Sequence, residues 1–266
     1  MKIGFIGTGN MGGALARAAA KGGHTLLLAN RTPAKAAALA KELGGTVCPN
    51  AEAAETAELL FLGVKPQGLP GLAGELAPVL QARRGNAPVV VSMATAVTLR
   101  ELDAMLGGGL PLIRIMPNTP AAVGAGTILY AAQNVTDAQL NAFRAVLAQA
   151  GLLLPLPEAQ IDAASAISGC GPAFCFQFAD AQALGGVRAG LSYPDACRLA
   201  AQTMLGAAEM LLQGGEAPDV LKMRVCSPAG TTIEGVLALE QGGFSYTVQN
   251  AVTAAYRRTV EMTRKG

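Results

Sequence analysis

The stretch Lys2-Ile3-Gly4-Phe5-Ile6-Gly7-Thr8-Gly9-Asn10-Met11-Gly12 decides the fold. Residues 2–6 form a short apolar run that suits a strand buried on both faces. The three glycines at 7, 9 and 12 follow at G-x-G-x-x-G spacing, and a helical pattern begins at Asn10 and runs over 10–21. In that strand–turn–helix setting each glycine serves a physical purpose. Gly7 makes the tight turn, Gly9 lets the backbone approach a pyrophosphate, and Gly12 lets the helix pack closely. The free N–H groups and positive dipole end at the helix start favour phosphate. In a chain with 33 glycines the spacing alone says little; its place between strand and helix makes it a dinucleotide-binding turn.

Outward from this turn the first half continues as βα units. Strands are expected at 25–30, 46–48, 59–64, 89–93 and 110–116, and helices at Pro33–Leu43, 69–80 and 99–106. These strands read as continuous apolar runs, and repeated units of this length imply an α/β fold, a doubly wound parallel sheet of the Rossmann type. A strand at 127–131, a helix from the N-cap residue Thr136 to 150 and a strand at 152–156 complete the sheet. From Glu158 onward the pattern is helical, with major helices at 172–187, 193–212 and 244–262 separated by glycine-rich breaks. Pro155-Leu156-Pro157 marks the boundary, giving a sheet domain over 1–157 and an all-helical domain over 158–266.

The chain has 266 residues, which fits two domains at about 100–200 residues each. Hydrophobic residues make up 51% and charged residues only 14%, against a usual charged share of about 25%. No run approaches the ~20 consecutive apolar residues of a spanning helix, and the start of the chain lacks the apolar region of a signal peptide. The expectation is therefore a soluble, cytoplasmic protein without a membrane role, its surplus apolar surface buried between subunits. A formal charge of +2 with no long run of either sign argues against a nucleic-acid surface. His24 is the single histidine, which excludes most metal and triad chemistries, so no metal site is expected. Five cysteines without C-x-x-C spacing read as reduced, mostly buried thiols.

Several segments could carry chemistry. An NAD site usually places Asp or Glu at the end of the second strand, where this chain has Ala29-Asn30-Arg31-Thr32. Arg31 can pair with a 2′-phosphate, helped by Asn30 and Thr32, so NADP(H) is favoured over NAD(H). Val64-Lys65-Pro66 falls at the carboxyl edge of the sheet, where Lys65 either approaches the cofactor or is an ordinary solvated lysine. The turn 114–120 lies on the same edge, with Asn118 and Thr119 facing the cleft or simply forming a stiff connection. Ser168-Gly169-Cys170-Gly171-Pro172 is a helix start. In Ser227-Pro228-Ala229-Gly230-Thr231-Thr232-Ile233-Glu234, Thr231 and Glu234 have capping-box spacing. That N-terminus either receives a small carboxylate through backbone N–H groups or is an ordinary capped helix.

Together these segments resemble the pyrroline-5-carboxylate reductases, which make L-proline by reducing a cyclic imine with NAD(P)H. The blocks that carry the resemblance are the glycine turn, Asn30-Arg31, Val64-Lys65-Pro66, Met116-Pro117-Asn118-Thr119-Pro120, Ser168 to Pro172 and, most specifically, Ser227 to Thr232 followed by Glu240-Gln241-Gly242-Gly243-Phe244. The resemblance implies that NADP(H) is bound by Ile6, Gly7, Thr8, Gly9, Asn10 and Met11, by Asn30, Arg31 and Asn50, and by Val64, Lys65, Pro66, Met93, Ala94 and Thr95. It implies that backbone groups around Gly230 and Thr231 hold the substrate carboxylate, that Ser227 and Thr232 complete the substrate site, and that Thr232, the catalytic residue, bonds the imine nitrogen. Because the nicotinamide carries the hydride, a weak hydroxyl donor suffices there. The family forms dimers through interlocked C-terminal helices, often assembled as a pentamer of dimers, and the 227–232 loop then meets the partner's cofactor. Two departures stand out: Cys170 occupies a place often held by serine, and Met93-Ala94-Thr95-Ala96 lacks the family's common glycine.

Three rival readings share parts of this pattern. A β-hydroxyacid dehydrogenase usually needs a lysine in the first long helix of its second domain, and 172–190 contains none. A general imine reductase with a bulkier substrate would use the same cofactor half. A non-catalytic NADP(H)-binding sensor would share the fold but has no need of the 227–232 loop.

Overall fold

The computed structural model describes residues 1–263; residues 264–266 of the expected helical domain lie outside the described residues. The strands are β1 (Lys2–Ile6), β2 (Thr25–Ala29), β3 (Thr46–Val47), β4 (Leu59–Leu62), β5 (Val89–Ser92), β6 (Leu112–Met116), β7 (Gly126–Gln133) and β8 (Gly151–Pro155). They form one sheet in the order β3-β2-β1-β4-β5-β6-β7-β8. Strands β1 to β6 pair in parallel, with chain reversal of order at β1 and β4. The doubly wound sheet is thus as expected, with one addition: β7 runs antiparallel to β6, and β8 is parallel to β7. The connection 117–125 is shorter than the dozen or so residues a parallel crossover needs, so the chain turns back.

Seven helices accompany the sheet: α1 (Asn10–Ala20), α2 (Pro33–Leu43), α3 (Asn50–Thr56), α4 (Leu69–Ala82), α5 (Leu99–Met105), α6 (Asp137–Leu147) and α7 (Glu158–Ser168). The short α3 was not expected from the sequence. On one face Leu60, Leu62, Val90 and Leu112 pack with Ala53 of α3, Leu72 and Leu76 of α4 and Ile161 of α7. On the other, Ile3, Phe5, Phe61, Val91 and Ile113 pack with Leu15 of α1, Leu39 of α2 and Phe143 of α6. Phe5 and Phe61 stack at 4.5 Å between ring centroids. Each fully buried Leu or Phe of this kind contributes about 1.5–3 kcal/mol. Thr136 caps α6 as expected, in a reciprocal box with Gln139, and Thr98 makes the same box with Glu101 at α5.

Helix α7 is fastened by a buried cation. Arg114 of β6 has a side chain only 3% exposed and pairs with Asp162 at 2.5 Å and Glu158 at 3.4 Å. Glu158 also accepts the Leu99 N–H at 2.7 Å. Contacts divide the chain into a sheet unit, Met1–Cys170 with the turns from Tyr256 onward, and a helical unit, Gly171–Ala255. Strand β8 ends at Pro155, and α7 remains with the sheet unit.

The helical unit comprises α8 (Gly171–Arg188), α9 (Tyr193–Gly214), α10 (Pro218–Val225), α11 (Thr231–Gln241) and α12 (Phe244–Thr263) as far as Ala255. Small residues let α8 and α9 approach: a Cβ on Gly186 would lie 3.1 Å from that of Ala196. The buried apolar side chains described within this unit are Ala183, Ala196 and Ala200, whereas Phe176, Leu199, Leu205, Leu212 and Tyr246 are exposed. All five cysteines are free, but only Cys48 is buried, which corrects the expectation of mostly buried thiols. The other four lie at or beyond the end of α7 and on the helical unit, where a single chain has little interior, and that accounts for the difference. Among the described residues no helix is long and apolar enough to cross a membrane.

Candidate functional site

The carboxyl ends of β1, β2 and β4 open onto a cleft of about 720 Å³. Its floor is the glycine turn. Gly7 has φ +101°, and a Cβ there would lie 2.5 Å from the Gly63 carbonyl oxygen. The turn is tied down by Gly7 N–H donating to Ala29 O at 2.8 Å and Gly63 N–H to Ile6 O at 2.7 Å. Gly12 faces the Gly7 carbonyl with no room for a side chain. Gly9, by contrast, is open: nothing lies within 4 Å of where its Cβ would be. It caps α1, whose first turn has no side-chain cap and no acidic residue. Sequence reasoning missed Gly63, although it stands directly after an apolar run, where a backbone approach to Gly7 requires glycine.

These features fit a dinucleotide. Buried Thr8 Oγ1 has no hydrogen-bond partner among the described residues, which leaves a polar atom to be satisfied beside an uncapped helix N-terminus. Asn10 and Met11 form the first turn of α1. Arg31 and Thr32 line the cleft, joined by Lys35 from the first turn of α2, a second cation that sequence reasoning missed. Its position four residues after Arg31, in a turn opened by Pro33, was the available signal. Asn30 was expected to assist Arg31 on the phosphate. It lines the cleft with Arg31 and Thr32, and its Oδ1 accepts the Thr8 N–H while its Nδ2 donates to Thr32 O, each at 3.0 Å, so it also braces the glycine turn. Asn50, Val64 and Lys65 also line the cleft, with Leu72 and Glu75 of α4.

Pro66 and Thr95 line an adjoining cavity of about 520 Å³, which shares Gln67 with the cleft. Met93 and Ala94 lie in the turn after β5, where Met93 N–H donates to Leu62 O at 3.3 Å and Ala94 N–H to Ser92 Oγ at 3.3 Å. Ala96, the last residue of the glycine-free stretch 93–96, adopts φ +62°. Asn118 is buried, and its Nδ2 donates to Ser168 O while its Oδ1 accepts the Thr127 N–H, both at 2.8 Å. It is a latch between the turn after β6, β7 and the end of α7.

In the helical unit, Gly230 N–H donates to Ser227 O at 3.0 Å, closing a turn with Pro228 and left-handed Ala229 (φ +54°) at its centre. The Ser227 hydroxyl fills the space a Gly230 Cβ would need. The N-cap of α11 is Gly230, with no side-chain cap; Thr231 is already helical, which corrects the expected capping box with Glu234. The turn sets the helix start one residue early, and the first-turn N–H groups are left without a side-chain partner. Ser227, Thr231 and Thr232 are all exposed.

Comparison with known proteins covers both halves of the chain. Residues 158–262 match the family model "Pyrroline-5-carboxylate reductase dimerisation", and residues 2–96 match "NADP oxidoreductase coenzyme F420-dependent". A pyrroline-5-carboxylate reductase of Synechocystis is 41% identical over 220 residues, 81% of this chain and 79% of its own. The structure of Plasmodium falciparum pyrroline carboxylate reductase with NADP bound superposes with a TM-score of 0.86 at 30% identity, over 99% of each chain. That of a pyrroline-5-carboxylate reductase from Coxiella burnetii gives a TM-score of 0.89 at 31% identity, over 97% of each.

Proposed function

We propose, because the chain belongs to the pyrroline-5-carboxylate reductase family, that it reduces the C=N bond of 1-pyrroline-5-carboxylate to L-proline, the last step of proline biosynthesis. The observation that carries this reading is a likeness that runs through both the nucleotide-binding and the helical halves. The cofactor is NADP(H), which when bound supplies the hydride to the imine carbon. The residues of the sheet unit hold and orient it: the N-terminus of α1 and Thr8 take the pyrophosphate, Arg31 and Lys35 the 2′-phosphate, and the edge formed by Val64, Lys65, Pro66, Met93, Ala94 and Thr95 the remainder.

The substrate residues are those of the 227–232 turn. The first-turn N–H groups of α11, which begin at Thr231 beside Gly230 and have no side-chain cap, favour a carboxylate by charge and by hydrogen bonding. Ser227 keeps that turn closed. The Thr232 hydroxyl donates a hydrogen bond to the imine nitrogen and passes it a proton from water; an iminium carbon is already electrophilic, so no stronger acid is needed. The functional division is a nucleotide-binding domain over 1–157 and a substrate and dimerisation domain over 158–266, its start set by the match to the dimerisation family even though α7 packs with the sheet unit. The exposed apolar side chains of α8 to α11 suit burial against a second copy, with further assembly as a pentamer of dimers, in the cytoplasm and away from membranes.

Thr232→Ala is expected to lower kcat about 100-fold, the lower range for lost proton transfer, while NADPH affinity stays within about twofold. Steady-state oxidation of NADPH with the cyclic imine, beside a panel of 2-hydroxy and β-hydroxy acids with NADP, tests both points. Turnover of a hydroxy acid and none of the imine defeats the reading, and an unchanged kcat removes Thr232 from it.

A further inference from the structure

We propose that Glu75 and Asn50 together read the exocyclic amine of the adenine ring, and so fix which way round the adenosine half of the dinucleotide sits in the cleft. The inference rests on the reading that this cleft binds NADP(H). Asn50 opens α3 and Glu75 lies on α4; Asn50 Nδ2 donates to Glu75 Oε2 at 3.0 Å, a bridge between two helices. Both side chains line the cleft, beside the apolar surface of Leu72.

The bridge decides what the pair can recognise. A carboxylate only accepts. By holding Nδ2, Glu75 fixes the orientation of the Asn50 amide, leaving Asn50 Oδ1 and Glu75 Oε1 as acceptors that take no hydrogen bond from a described residue. An amino group with two N–H donors satisfies both, and an Asn amide is a good partner for the 6-amino edge of adenine. A 6-oxo purine offers an acceptor to acceptors at the same place.

Charge selects the same orientation. The 2′-phosphate carries negative charge, and Arg31 and Lys35 enter the cleft from the end of β2 and the start of α2. Glu75 repels that phosphate. The phosphate therefore goes to the cations, and the uncharged base goes to Leu72, Asn50 and Glu75. Nothing local in the sequence marks Glu75, which α4 brings to the cleft well after Lys65.

Calorimetric titration of the full-length protein with NADP+ and with nicotinamide hypoxanthine dinucleotide phosphate tests this. The wild type is expected to bind NADP+ about tenfold more tightly than the hypoxanthine analogue, the worth of one such bond. Glu75→Ala should bring the ratio of dissociation constants close to one. Glu75→Gln, which can turn an N–H toward a 6-oxo group, should improve binding of the analogue. An unaltered ratio in both variants, or equal weakening for both dinucleotides as a ribose contact would give, overturns the inference. Arg31→Ala separates the two readings. If it weakens NADP+ while the Glu75 variants leave the ratio alone, only the adenine inference falls; if Arg31→Ala also has no effect, the assignment of the cleft falls with it.

Discussion

The two units of the chain solve the same problem, burying apolar surface, in opposite ways. In the sheet unit both faces of the sheet are covered by helices of the same chain, and the site is braced from within: Asn30 holds the glycine turn, Gly63 packs on Gly7, and Asn118 ties α7 to the turn after β6. In the helical unit the buried apolar residues are three alanines, Ala183, Ala196 and Ala200, while Phe176 and Leu212 stand 70% and 80% exposed. The sheet unit builds a binding cleft with its own residues. The helical unit leaves its larger apolar side chains uncovered, and it falls within the match to a dimerisation family.

The difference can be broken at several points. The largest effect is expected in the sheet unit. Arg114→Ala leaves Glu158 and Asp162 without their buried cation and should lower unfolding stability by about 3 kcal/mol, independently of protein concentration. Denaturant unfolding at two concentrations checks this, and a loss under about 1 kcal/mol would mean the pair behaves as a surface bridge. Phe176→Glu should act the other way. It costs a lone chain little, because the ring is already 70% exposed, but it should weaken self-association about thirtyfold, the worth of one buried Phe. Sedimentation velocity reads it, and an unchanged association would put α8 outside the interface.

Smaller effects sharpen the local picture. Ala96 sits at φ +62°, a conformation that costs an L-residue about 1–2 kcal/mol, so Ala96→Gly should raise stability by about 1 kcal/mol. Thermal unfolding tests this; destabilisation would mean the methyl group packs better than the backbone suffers. Thr98→Ala removes the α5 cap and should cost about 1 kcal/mol at neutral pH. The Thr98 hydroxyl and N–H hold the Glu101 carboxyl below its ordinary 4.5. A depressed native value stabilises above the unfolded one, and that contribution disappears as pH falls through the native value. The difference between wild type and Thr98→Ala should therefore shrink below about pH 4, and a constant difference would rule out the carboxylate.

The strongest part of the site was legible because it is local. Gly7, Gly9 and Gly12 follow one another between strand and helix, and Arg31 replaces an acid at the end of β2. What was not legible depends on segments distant in sequence. Glu75 meets Asn50 only because α3 and α4 pack side by side, and the Asn30 amide is taken by Thr8 from across β1 and β2. The direction of β7 is not written in its apolar run; it follows from the short connection before it. The start of α11 lies one residue earlier than expected because Thr231-Thr232-Ile233-Glu234 reads alike whether Thr231 caps the helix or begins it. The left-handed Ala229 and the crowding of Gly230 by Ser227 decide between them.

The most direct test of the function is product identity. The purified protein is incubated with 1-pyrroline-5-carboxylate and NADPH, and the amino acid formed is separated by chirality and measured against the NADPH consumed. One L-proline for each NADPH oxidised is the predicted result. NADPH oxidation without proline, or no oxidation with the imine at saturating concentration, would contradict it.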